Sequence, residues 1–205
     1  MPSPTPRLTQ PERVEISNRR LVRAAFELIA EKGWEATTAA EIGRRAGYSR
    51  AMVHARYGSK DAVLETFFRD DYVERLAPDP RPDATGLERA VAHFDRVAQL
   101  HGEDPDFLRG MFIAAFEAVK TTSGLRPRVR SYLRHGTGGV EAGLRDGIRD
   151  GSVRADIDIE RAAADIATAI FAVAYRWTVF PDEFDLIPEL EYVRARLVRT
   201  YGRNR

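Results

Sequence analysis

From about residue 12 onward the apolar residues recur at helical spacing, and no stretch alternates apolar and polar as a half-buried strand would. That single feature restricts the chain to an all-α fold. Leu21, Val22, Ala25, Phe26, Leu28 and Ile29 form one face of a first helix, closed by Lys32 and Gly33, a cation and then a glycine. Thr37 and Thr38 offer an N-cap, with Glu41 at capping-box spacing from Thr38. The short helix that follows, through Ile42 and Ala46, ends at Gly47. Ser49 caps a second short helix, Arg50 to Tyr57, which Gly58 breaks. Ser59 caps a longer one with Leu64, Phe67, Phe68 and Tyr72 on its apolar face.

The run Pro78-Asp79-Pro80-Arg81-Pro82 ends that helix and marks the expected domain boundary. Before it, residues 1–11, with four prolines, read as a flexible arm, and 12–77 as the first domain. After it, residues 78–205 read as a second helical domain. Its stripes run from Leu87 to His101, from Leu108 to Val119 before a break at Thr121–Gly124, and from Pro127 toward Asp150 with a loose middle at Gly136–Gly139. An alanine-rich helix from Asp158 through Trp177 and a last helix from about Pro188 to Tyr201 complete it.

Charge divides the chain unevenly. Residues 1–60 hold eleven Lys/Arg against six Asp/Glu, a net +5 beneath a whole-chain charge of only +1. A basic front on an acidic body points to a polyanionic partner. The absence of cysteine excludes disulfide scaffolds, Cys-ligated metal sites and thiol nucleophiles. The opening Met1–Pro6 lacks the apolar core of a signal peptide, and the longest near-apolar run, Ile166–Tyr175, is half a membrane span. A soluble, cytoplasmic protein is expected.

No catalytic constellation emerges. Gly47-Tyr48-Ser49-Arg50-Ala51 resembles a nucleophile elbow, but that turn needs a preceding strand, and here a helix precedes it. Gly138 and Gly143 have P-loop spacing, yet Leu144 stands where the lysine must be. The four histidines are scattered without ligand spacing, and Asp158 reads as a helix cap rather than half of a metal pair with Asp156. Neither a cofactor nor a metal is expected, and the chain does not read as an enzyme.

Two short helices joined by Ala46-Gly47-Tyr48-Ser49 make a helix-turn-helix, with Ile42 and Val53 packing them together. The wider string from Thr37 to Asp61, with Ala24–Trp34 before it, closely resembles the DNA-binding domain of the tetracycline-repressor (TetR) family of bacterial regulators; the likeness covers about residues 19–68. Gly43 departs from the family's usual alanine, which should loosen the second helix by under about 1 kcal/mol. His54 stands where the family has a phosphate-binding tyrosine, and Arg56 where it often has histidine. The stretches Gly151–Asp158 and Trp177–Leu186 resemble segments flanking the family's dimerising helix.

The resemblance implies an N-terminal three-helix DNA-binding domain joined to a helical ligand-binding and dimerisation domain. It implies a homodimeric regulator, most naturally a repressor released from a pseudo-palindromic DNA operator by a small-molecule effector. The alternative is an all-α ligand-binding or enzymatic protein that retains the helix-turn-helix as a structural module. Arg50, Ala51 and Met52 should face base edges, with Tyr48 in the turn beside them. Thr38, Ser49, His54, Arg56, Tyr57 and Lys60 are phosphate candidates, although Tyr57 also reads as core and Trp34 as a packing residue. Phe94, His101, Met111, Phe112, Phe116, Tyr132, Tyr175 and Trp177 could line an effector pocket or simply pack. Arg126, Arg130 and Arg134 share a face that either meets an anionic effector or is solvated. The expected dimer interface is Ala163, Ala167, Ile170 and Ala174 on one helix with Leu190, Val193, Leu197 and Tyr201 on the last.

Overall fold

A computed structural model describes residues 9–67, 75–120 and 126–203. The expected arm up to residue 8, Phe68, Tyr72 and the break at 121–124 lie outside the described residues. Among the described residues the named elements are helices, joined by one isolated bridge between Val153 and Gly202. They are α1 (Gln10–Lys32), α2 (Ala39–Arg45), α3 (Arg50–Tyr57), α4 (Lys60–Thr66), α5 (Gly86–Glu103), α6 (Pro105–Glu117), α7 (Arg126–Asp150), α8 (Ile159–Val179) and α9 (Leu186–Tyr201).

Local caps set most of these boundaries. Thr38 accepts from Glu41 N while Glu41 returns to the Thr38 backbone, the reciprocal pair expected from spacing. Ser49, Ser59 and Asp158 cap α3, α4 and α8. Two starts differ from expectation. The helix α1 begins at Gln10, inside the expected arm, because Thr9 and Glu12 form a further capping box and Pro11 suits the first turn. The last helix begins at Leu186, two residues before Pro188, capped by Asp185. The loose middle expected at Gly136–Gly139 is unbroken helix within α7.

Packing joins the front to the body at close range. The helix α1 lies along α6, and Gly110 meets Phe26 so tightly that a Cβ there would overlap the Phe26 carbonyl. Phe26, Phe67 and Phe107 form an edge-to-face trio across that seam, with centroids 4.7, 5.0 and 5.7 Å apart. Glu117 at the end of α6 accepts from the Trp34 backbone N–H at 3.1 Å. Behind this seam α5, α7, α8 and α9 pack around Phe94, Leu144, Ile166 and Leu186, all fully buried.

Candidate functional site

The helix-turn-helix is built by short-range chemistry. Ile42 and Val53 are completely buried between α2 and α3, as expected. Gly47 takes φ +80°, a left-handed turn that a side chain would resist. Gly43 does more than loosen α2: a Cβ there would sit 2.9 Å from the Ser49 carbonyl oxygen. Tyr48 N–H donates to the Gly43 carbonyl at 2.7 Å, so the missing side chain lets the turn close onto the helix.

Of the expected DNA contacts, Thr38, Ser49, Ala51 and His54 are exposed, and Tyr48 and Met52 half-buried. The Arg50 side chain lies outside the described residues. The hydroxyls of Thr38 and Ser49 already cap α2 and α3. His54 Nδ1 sits 3.0 Å from the Gly58 carbonyl.

Three expected phosphate ligands are turned inward. Lys60 donates to the carbonyls of Trp34 at 2.9 Å and Thr37 at 3.0 Å, with its ammonium 4.6 Å from the Trp34 ring. These bonds fix the α1–α2 corner. Arg56 donates to Asn18 Oδ1 at 3.1 Å, to the Val14 carbonyl at 3.3 Å and to Ser17. The Tyr57 hydroxyl donates to Asn18 at 3.0 Å. Arg56 and Tyr57 tie α3 to α1 and Lys60 ties α4 to the α1–α2 corner, from 23 to 42 residues away, a distance over which spacing carries no signal. Arg44, which the sequence reading passed over, is exposed at the end of α2 with no ion pair among the described residues. Its neighbour Arg45 is held by Glu31 and Glu27. Two adjacent arginines look alike in sequence, so only packing tells them apart.

The expected effector residues are mostly core. Phe94, Met111 and Phe112 are buried. Phe116 stacks on Phe112 and meets Phe171 edge-on. His101 and Trp177 pair edge-to-face at 5.4 Å beside a shallow groove near Phe184, and Tyr175 is exposed. A separate cavity of about 260 Å³ lies between α5, α7, α8 and the stretch at residues 76–80. Tyr132 lines it, alone among the eight, and it stands beside Arg89, His93, Val140, Ala167 and Ile170. Small residues and glycines bound this space, and a search for aromatic stripes passes over those. Arg126, Arg130 and Arg134 are exposed and are not among its lining residues.

The dimer face also needs correcting. Ala163 (0%), Ile170 (6%), Ala174 (1%), Leu190 (2%) and Leu197 (1%) are buried inside the single chain. Ala167 and Ile170 line the cavity instead. Val193 is half-buried against the core, and the Tyr201 hydroxyl donates to Asp165 at 2.7 Å. Burial first, and then that bond, push the Tyr201 phenol up to about 12. The outer faces carry Ala164, Thr168, Ala172, Tyr175 (57% exposed) and Val179 (47%) on α8, and Tyr192 (63%) and Ala195 on α9. Alanine lies on both faces of α8, so composition could not say which one turns inward.

Residues 21–67 match the family described as "Bacterial regulatory proteins, tetR family". These residues form a TetR-family domain. The chain is 21% identical over 171 residues to the "Fatty acid metabolism regulator protein" of Bacillus subtilis, covering 82% of this chain and 87% of that one. In fold it resembles SmeT, the repressor of the Stenotrophomonas maltophilia multidrug efflux pump SmeDEF, with TM-score 0.72, 20% identity and 91% of each chain covered. It likewise resembles the regulator FadR from Bacillus subtilis, solved with stearoyl-CoA, with TM-score 0.73, 22% identity and 88% and 97% covered. With that domain at its front, the chain is a DNA-binding transcriptional regulator. No described helix is long and apolar enough to cross a membrane.

Proposed function

We propose that this chain is a non-enzymatic, homodimeric repressor that leaves a pseudo-palindromic operator when a small molecule enters the body. The observation that carries this is the outward face of α2–α3. Ser49, Ala51 and His54 are left to solvent while Ile42 and Val53 are fully buried between the two helices. Such a face suits the major groove, with Arg50, Ala51 and Met52 against base edges. Tyr48, the Ser49 end of α3, Thr38, His54 and Arg44 then meet phosphates. The complexes of relatives with small molecules, stearoyl-CoA among them, support an effector in the cavity. In this reading residues 12–77 form the DNA-binding domain and 78–205 the effector and dimerisation domain.

The partner surface we assign is the exposed face of α8 and α9, around Thr168, Ala172, Tyr175 and Tyr192. Ala172→Arg should leave the chain folded and reduce it to a monomer in sedimentation. Loss of the fold in that variant, or an unchanged dimer, would show another interface.

A gel-shift titration against DNA flanking the chain's own gene tests the whole reading. The slope of log K against log salt should be about −4 or steeper for a dimer. A slope near zero removes the DNA reading. Lys60→Met should lower stability by about 1–3 kcal/mol through two stranded carbonyls, with DNA sequence preference unaltered.

A further inference from the structure

His93 stands on α5 with its side chain among the cavity-lining groups. The residue is half-buried, but its Nε2 is shielded from solvent and has no hydrogen-bond partner. The carbonyls of Ile166 and Ala90 approach the ring and favour its protonated form, but neither makes a well-formed hydrogen bond to Nε2. A buried polar atom left unpaired costs free energy, and such atoms in a native structure mark a role. Burial also holds the imidazole down to about 4, so the ring is neutral near pH 7.

The rest of the lining narrows what could pair with it. Val140, Ile170 and Phe171 are apolar. Arg89 is the arginine among the described lining residues, and its guanidinium is already taken by Asp146 at 3.0 Å and by the Ala84 carbonyl. An anionic ligand would have to break that ion pair or be met only by His135, which is exposed to solvent, and a cationic one would find no carboxylate in the described lining. The volume, about 260 Å³, falls below the roughly 300–1,000 Å³ of drug-sized sites. A neutral imidazole nitrogen is a donor in one tautomer and an acceptor in the other, and a hydroxyl answers either.

We propose that this cavity binds a compact, uncharged, largely apolar alcohol or phenol, the His93 ring turning so that its Nε2 pairs with the ligand hydroxyl. The inference rests on the effector reading above and assigns the chemical class of the effector.

Calorimetry of the full-length protein without DNA tests it, using 2-naphthol, naphthalene and 2-naphthoate as probes of one skeleton. Wild type should bind 2-naphthol about tenfold or more tightly than naphthalene, the size of one hydrogen bond, and 2-naphthoate weakest. His93→Phe should erase the preference for 2-naphthol while leaving naphthalene unchanged. His93→Gln, which keeps a donor and an acceptor on its side chain, should restore part of that preference. Equal binding of 2-naphthol and naphthalene in wild type, tightest binding of 2-naphthoate, no binding of 2-naphthol, or a preference that survives His93→Phe would each overturn the proposal. The same probe added to the protein–DNA complex separates the two readings. If 2-naphthol binds through His93 but DNA stays bound, the site stands and the effector reading falls. If 2-naphthol fails to bind while the chain still binds its DNA, the site falls and the regulator reading stands.

Discussion

The two ends of the α5–α7 pair are packed in opposite ways by the same residue type. At one end the backbones touch. A Cβ on Gly86 would overlap the Gly147 amide, and one on Gly143 would sit 2.8 Å from Ala90 N. Asp150 and Ser152 complete this end by accepting from the N–H groups of Gly86 at 2.7 Å and Leu87 at 3.2 Å. The bonds from Ser152 and Gly86 hold the Asp150 carboxyl below its ordinary range. At the other end the helices part around the cavity, and Gly136, Gly138 and Gly139 have open space where a Cβ would be. Glycine therefore closes one end and leaves the other weak. The helix is least reinforced where it borders the space assigned to the effector, as expected of a segment that must yield to a ligand.

The largest test is at the closed end. Gly86→Ala puts a methyl group into the Gly147 backbone, and backbone cannot rotate away as a side chain does. The variant should lose about 3 kcal/mol or more in urea unfolding at fixed protein concentration. A loss under about 1 kcal/mol would mean that the two helices are not in backbone contact.

Next is the open end in acid. The His93 imidazole is held at about 4 in the folded chain against an ordinary 6.5. Between those values the unfolded chain takes up a proton that the folded chain refuses. Stability present above pH 6.5 is therefore lost as pH falls, to a limit of about 3 kcal/mol by pH 4. His93→Phe should remove this component and leave the carboxylate titrations in place. Parallel stability curves for the two proteins between pH 6.5 and 4 would show that the ring is not buried neutral.

The same contrast explains what could be read from the sequence. The α2–α3 unit was legible because its determinants are local: Thr38 with Glu41, Ser49 with Met52 N, and the left-handed glycines 47 and 58. The fates of Lys60 and Arg56 were not, since their partners lie 23 to 42 residues away. The face of α8 was misassigned because Ala163 and Ala174 point inward while Ala164 and Ala172 point out, and periodicity marks a stripe without saying what covers it. His93 escaped notice because it sits between Ala92 and Phe94 on an ordinary amphipathic helix, and only the folded chain shows the empty space beside it.

The smallest expected effect has the opposite sign. Gly138 is exposed within α7, its φ is not in the left-handed region, and a Cβ there would meet nothing within 4 Å. With no contact to lose, Gly138→Ala acts through backbone entropy and should stabilise the chain by about 1 kcal/mol. If the weakness of α7 matters for admitting a ligand, the same change should also slow association and dissociation together, because stiffening a barrier element leaves the bound contacts unchanged. Stopped-flow fluorescence with 2-naphthol would read both rates. A stabilised variant with unaltered rates would assign the glycines to helix weakness alone, and the route into the cavity would have to run past Leu76–Pro80 instead.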